Sequence, residues 1–151
     1  MKQIFYFLIM SALCFCLFNC NNKKQSTGLY EATHNADSVN FDIFIKEFSA
    51  DESFQVEHIN FPVEMFVPRN DEYNTKDTTL YVHKTDWDFI NLSDSSKFPV
   101  KEKVFFNKMQ YENGFAIVVK GIDCGIFITY YFEKQKKEDT WFLVKIEDTS
   151  I

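Results

Sequence analysis

The stretch VFFNKMQYENGFAIVVKGIDCGIFITYYFEKQKKEDTWFLVKI, residues 104–146, decides the fold that we predict for this chain. Four apolar runs rich in Phe, Tyr, Ile and Val are separated there by three short segments of turn-forming and charged residues. Asn113-Gly114 between two of these runs is a strong signal for a β-hairpin. The pattern therefore predicts a meander of four antiparallel strands, over residues 104–111, 115–120, 126–132 and 141–146.

Apolar residues of this meander fall on both faces of each strand. In the third run, Ile128 and Tyr130 point one way, whereas Phe127 and Tyr131 point the other way. A sheet with one face in water would instead alternate apolar with polar side chains. We therefore expect helices to cover one face, and a second subunit, in a homodimer through the sheet, or a bent sheet edge to cover the other.

Two helices are predicted before the meander. The first begins at Ser38 and carries an apolar stripe at the i, i+3, i+4, i+7 spacing of an amphipathic helix. The stripe consists of Phe41, Phe44, Ile45 and Phe48. Ser49-Ala50-Asp51-Glu52 matches a capping box, which predicts a second, short helix with Phe54 facing inward. Extended segments follow at residues 57–67 and 80–82. The chain is thus predicted to be an α+β protein, with N-terminal helices packed on a curved antiparallel sheet.

The first 19 residues have the pattern of a secretory signal peptide. Lys2 precedes an apolar run over residues 4–18 that is too short to span a bilayer. Leu17-Phe18-Asn19-Cys20, followed by polar residues, resembles the lipobox of bacterial lipoproteins, which implies that Cys20 carries lipid. An uncleaved anchor and a secreted soluble form are the alternatives. We predict a signal peptide at 1–19, a lipidated Cys20 with a flexible tether over 20–37, and one domain over 38–151.

Composition limits the classes of partner. Loss of Lys2 with the leader leaves 15 basic against 22 acidic residues, a net charge of −7, which disfavours nucleic-acid binding. Cys14 and Cys16 also leave with the leader, so Cys124 is the only cysteine with a free side chain in the mature chain. No intramolecular disulfide is then possible, and the fold depends on its apolar core.

The order of these elements is similar to that of the cystatin-like cone of the nuclear transport factor 2-like superfamily. Four segments carry the resemblance, namely residues 41–48, 51–55, 58–63 and 141–146. The chain also looks like the lipoproteins of unknown function, from Gram-negative gut bacteria, that are assigned to this superfamily. The resemblance implies a sheet that wraps a cavity capped by helix. In the superfamily this cavity serves isomerases and dehydratases, plain ligand binding, or dimerisation.

Enzymes of this cone type place an acid or base on the inner wall. The predicted central strand segments contain no Asp, Glu or His, which disfavours catalysis. His58, Tyr130 and Tyr131 are the candidates for lining the cavity. The sequence contains no two-His helix motif and no closely spaced cysteine pair after the leader, so no metal site or cofactor is predicted, and no residue is assigned a catalytic role.

We therefore expect a non-catalytic binding or protein-interaction domain of the cell envelope. Its predicted partners are a bacterial membrane, reached through the lipid anchor, and a small apolar ligand or another protein. The alternative is a small isomerase or hydratase whose acid/base group is His58, His83, Asp86 or a tyrosine.

Overall fold

The structure is a computed structural model that describes residues 25–68 and 78–151. The predicted signal peptide at 1–19 and Cys20 lie outside the described residues, as does most of the loop before residue 80. The chain divides into two compact units on either side of the Ser38–Val39 bond. None of the helices in the described ranges has the length and apolar character needed to cross a bilayer.

Within residues 25–68 and 78–151, two helices precede six strands. The helices are α1 (Gln25–Phe48) and α2 (Glu52–Glu57). The strands are β1 (Ile59–Val67), β2 (Thr78–Val82), β3 (Val104–Tyr111), β4 (Gly114–Gly121), β5 (Phe127–Gln135) and β6 (Thr140–Asp148). Single 3₁₀ turns lie at Lys84–Asp86 and Ser95–Lys97, in the segment between β2 and β3. The α+β class and the four strands of the meander are confirmed.

All six strands form one curved sheet in the order β2-β1-β6-β5-β4-β3. The meander from β3 to β6 is antiparallel throughout, as predicted. The expectation of a wholly antiparallel sheet is wrong, because β1 pairs with β6 in parallel. This pairing joins strands that are far apart along the chain, and the period-2 pattern of a strand does not specify its neighbour.

Helix α1 begins at Gln25, 13 residues before the start that was predicted at Ser38. That prediction relied on the absence of an apolar period. However, an apolar period indicates only that one face of a helix is buried. Elongation of a helix that has already nucleated costs little free energy per residue. A polar segment joined to an amphipathic helix can therefore continue the helix without an apolar stripe.

The core lies between the C-terminal half of α1 and one side of the sheet, which we call the helix face. All four residues of the predicted stripe are buried. Phe41 stacks on Phe115 with ring centroids 4.9 Å apart and meets Trp141 edge-on at 5.3 Å. Phe48 meets Phe132 edge-on at 5.2 Å. These aromatic contacts position α1 on β4, β5 and β6.

The start of α2 differs from the prediction. Asp51 is the N-cap, and its side chain accepts a hydrogen bond of 2.9 Å from the Phe54 N–H. Ser49, the expected capping residue, instead accepts a hydrogen bond from the Leu92 N–H through its hydroxyl. A long-range backbone donor therefore takes the place of the local one. The same end of the domain buries Gln55 completely.

Candidate functional site

His58, the first candidate for a cavity lining, lies at the junction of α2 and β1. Its ring stacks on Phe54 with centroids 3.9 Å apart, and Phe142 packs nearby at 5.3 Å. Its Nδ1 donates a hydrogen bond of 2.8 Å to the carbonyl oxygen of Phe54. The half-buried imidazole is thus held between aromatic rings, and one of its two nitrogens is used locally.

Tyr130 and Tyr131 lie on opposite faces of β5. Tyr130 is buried in the core on the helix face, between Ile117 and Ile146 in register, and burial raises the pKa of its phenol. Tyr131 is half-buried on the other side of the sheet. The structure therefore does not bring the three candidates together. Their role in lining a cavity stays a prediction. The two tyrosines cannot line the same cavity, because their side chains lie on opposite faces of the sheet.

Packed side chains occupy the helix face where the resemblance implies a hollow. The largest fully buried side chains include Phe41, Phe48, Phe132 and Leu143, all of which belong to this core. A pocket of about 260 Å³ lies at its rim, between α1 and the β5–β6 turn. Lys134 and Asp139 form an ion pair of 2.9 Å in this rim pocket, which is also lined by Glu47.

The opposite side of the sheet, the outer face, carries a larger pocket of about 430 Å³. Register places Phe105, Lys120 and Phe127 in one row across β3, β4 and β5, and all three line this pocket. The rings of Phe105 and Phe127 are 46% and 39% exposed. The volume is in the range of small-molecule sites. We call this cavity the outer pocket.

The β4–β5 turn closes one end of the outer pocket and depends on two glycines. A Cβ on Gly121 would lie 2.2 Å from the Cys124 sulfur, and a Cβ on Gly125 would lie 2.0 Å from the Ile151 carbonyl oxygen. A side chain at Gly125 would therefore force the backbone at Ile151 to shift, whereas one at Gly121 would require the Cys124 side chain to move. The turn thereby holds Cys124 and the segment after β6 against the pocket.

Lys120 supplies the charge of the outer pocket. Its ammonium nitrogen lies 5.1 Å from the centroid of the Phe127 ring, within the range of a cation–π contact. Within the described part of the chain, no carboxylate oxygen lies within 4.0 Å of this nitrogen. The pocket thus presents a cation beside two exposed aromatic rings.

A hydrogen-bonded group lies on the same face, farther along β5 and β6. The Tyr131 hydroxyl donates to Glu147 at 2.6 Å, and Lys145 donates to the other oxygen of Glu147 at 2.6 Å. Burial and the bond to Glu147 raise the pKa of Tyr131 to about 12. Burial acts to raise the pKa of Glu147, but its hydrogen bonds from Lys145 and Tyr131 together lower it. These three side chains are therefore bonded to one another.

The acid/base candidates of the alternative enzyme are dispersed. His83 and Asp86 are exposed at the turn after β2, and Asp86 accepts a hydrogen bond of 3.3 Å from the neighbouring Thr85 hydroxyl. Neither residue lines the rim pocket or the outer pocket. In residues 25–68 and 78–151, no three His, Cys, Asp or Glu side chains are grouped so as to hold a metal ion.

Sequence reasoning missed the outer pocket. The apolar residues on this face were evident, but they were assigned to a partner or a bent edge without naming a site. The usable signal was alternation, since Phe105, Lys120 and Phe127 all fall on the face opposite the core residues of their strands. Their alignment into one row required the strand register, which the sequence did not provide.

No family model matches the chain, and no curated protein matches it. Among solved structures, the chain is similar to an NTF2-like protein from Bacteroides fragilis, with 21% identity and a TM-score of 0.49 over 72% of this chain and 46% of that one. It is also similar to an NTF2-like protein of unknown function from Shewanella baltica, with 14% identity and a TM-score of 0.38 over 87% of this chain and 98% of that one. The chain thus spans about half the length of the first of these proteins.

Proposed function

We propose that this chain is a lipid-anchored protein of the bacterial cell envelope, that its domain belongs to the nuclear transport factor 2-like superfamily, and that it is a non-catalytic binding module. The order of its elements supports the superfamily assignment. An amphipathic helix, a short helix and a strand containing Phe61-Pro62 precede a meander that ends on the strand of Trp141.

The observation that carries the binding function is the contrast between the two faces of the sheet. On the helix face, aromatic side chains fill the space under α1. On the outer face, Phe105 and Phe127 remain partly exposed around a pocket of about 430 Å³. Exposed aromatic surface grouped around a pocket is typical of a ligand or interaction site. The outer pocket is therefore the binding site that we propose.

Membrane attachment is supported by the N-terminal sequence. The apolar run ends at Leu17-Phe18-Asn19-Cys20, and the following residues 21–26 are polar. A lipidated Cys20 with several acyl chains would hold the protein firmly on a bilayer. The domain would then act at the membrane surface, outside the cytoplasm.

The absence of catalysis is supported by the placement of the titratable groups. Tyr130 is buried in the core, whereas Glu147 is engaged by Lys145 and Tyr131. His83 and Asp86 are exposed away from both described pockets. A general acid or base must reach its proton at hydrogen-bonding distance within a substrate site.

The binding function can be tested with a small neutral ligand, 4-phenylbutanol, by isothermal titration calorimetry. The full chain is purified in the form that its host makes and held in lipid nanodiscs, with empty nanodiscs as the blank. The double variant Phe105→Ser/Phe127→Ser should bind about tenfold more weakly, because it loses the two aromatic walls. Tyr81→Ser, which alters an exposed aromatic residue on β2, is the matched control. Equal affinity in all three proteins would exclude the outer pocket as the site.

A further inference from the structure

In the part of the chain that the structure describes, four lysines lie over aromatic rings, and three of them also have a carboxylate partner. Lys108 lies over Phe115, Lys134 over Trp141 and Lys145 over Tyr131. Their ammonium groups pair with Asp42 at 2.6 Å, Asp139 at 2.9 Å and Glu147 at 2.6 Å. The fourth lysine, Lys120 over Phe127, is the exception. It is also the lysine that lines the outer pocket.

The missing partner is not explained by a lack of acidic residues in the neighbourhood. Asp123 lies in the adjoining β4–β5 turn and Asp148 at the end of β6. Neither comes within 4.0 Å of the Lys120 ammonium, and Asp148 instead accepts a hydrogen bond of 3.0 Å from the Ser150 N–H. The pocket thus keeps a cation that no carboxylate of the described residues contacts within 4.0 Å.

The position of Lys120 indicates which class of ligand fits the outer pocket. Phe105 and Phe127 are its register neighbours on either side, so a ligand that reaches the ammonium also meets one or both rings. A hydrogen bond to a charged group in a partly apolar site is stronger than a neutral one. An anion with an apolar body would therefore gain both the ion pair and the aromatic contact, whereas a neutral molecule would gain only the contact.

We propose that the outer pocket binds a small organic carboxylate with an apolar body, with the carboxylate on the Lys120 ammonium and the body against Phe105 and Phe127. This inference rests on the proposed function, since it takes the outer pocket to be a binding site. Beyond that function, it specifies that the ligand is an anion and that Lys120 is the residue that selects it. Cations of the same shape are disfavoured because Lys120 repels them.

Three probes with one body and different head groups test the proposal, namely 4-phenylbutyrate, 4-phenylbutanol and 4-phenylbutylamine. Each is titrated calorimetrically into the full chain in neutral-lipid nanodiscs, with empty nanodiscs as the blank. We expect the carboxylate to bind about five- to tenfold more tightly than the alcohol, and the amine to bind most weakly. Added salt should weaken binding of the carboxylate and leave binding of the alcohol unchanged.

Two variants, Lys120→Met and Lys137→Met, test whether Lys120 causes the preference for the carboxylate. The first variant removes the charge but keeps an apolar side chain of similar length, and the second removes an exposed lysine from the distant β5–β6 turn. Lys120→Met should bind the carboxylate and the alcohol equally, whereas Lys137→Met should keep the preference. Retained binding of 4-phenylbutanol by Lys120→Met shows that the pocket is still folded.

The other outcomes separate this inference from the proposed function. Equal affinity of the wild-type protein for the carboxylate and the alcohol would overturn the ligand class and leave the outer pocket as a binding site. A carboxylate preference that survives in Lys120→Met would overturn the role of Lys120. If none of the three probes binds, the proposed function fails at this pocket, and the inference fails with it.

Discussion

Gln55 and Ile90 are joined by two hydrogen bonds that run in opposite directions. The Gln55 side-chain amide donates to the Ile90 carbonyl at 2.7 Å, and its oxygen accepts from the Ile90 N–H at 3.0 Å. The same amide donates to the Phe48 carbonyl at 2.7 Å and accepts from the Trp87 indole at 3.0 Å. All four hydrogen-bonding positions of this buried amide are used, so it ties both helices to the segment before β3.

Gln55→Leu should therefore destabilise the domain strongly. The substitution leaves two backbone carbonyls, the Ile90 N–H and the Trp87 indole without their buried partner, at an expected cost of about 3 kcal/mol in the free energy of unfolding. Urea denaturation measures this change. Glu52→Gln, at an exposed position of the same helix, is the control and should change the value by less than about 0.5 kcal/mol. Similar stability of the two variants would contradict the proposed role of Gln55.

Phe41→Ala tests the position of α1 on the sheet. Phe41 contacts Phe115, Phe132 and Trp141, and it is fully buried. Its truncation should lower the free energy of unfolding by about 3–5 kcal/mol, because transfer energy is lost and a cavity remains. Ile43→Ala on the same helix, where the side chain is 61% exposed, should have little effect in the same denaturation experiment. Comparable losses in both variants would refute this packing.

Cys20→Ser tests the proposed anchor. Without the thiol, no lipid can be attached at this position, so the protein should shift from the membrane fraction to the soluble fraction or accumulate with its leader uncleaved. Immunoblotting of fractionated cells distinguishes these forms by location and apparent mass. Cys16→Ser, within the predicted leader, should behave as the wild type. A processed, membrane-bound Cys20→Ser protein would show that Cys20 is not the anchor.

Tyr131 should contribute stability that is lost at alkaline pH. Its pKa is raised from 10.0 to about 12 by burial and by its bond to Glu147, so the folded protein holds this proton more tightly than the unfolded chain does. The contribution is complete below pH 10.0 and is lost as the pH rises toward about 12. The difference in unfolding free energy between the wild type and Tyr131→Phe should therefore decrease as the pH rises from 10.0 to about 12. Denaturation at each pH measures this difference. A constant difference would contradict the raised pKa.

Several parts of the fold followed directly from sequence patterns. The four strands of the meander lie where the apolar runs between turn segments placed them, and Phe41, Phe44, Ile45 and Phe48 form the buried stripe. The patterns failed where a partner came from elsewhere in the chain. Ser49 binds the Leu92 N–H rather than capping α2, and β1 joins β6 in parallel. Neither contact leaves a periodic trace in the sequence.

Residue order was thus sufficient to identify the amphipathic part of α1, the strands and the apolar surfaces, because these depend on repeats of 3.6 and 2 residues within one segment. Strand register, the burial of Gln55 and the row formed by Phe105, Lys120 and Phe127 came only from the folded chain. Each of them brings together residues from different segments. Such contacts depend on the packing energy of the whole domain, which cannot be read from any single segment.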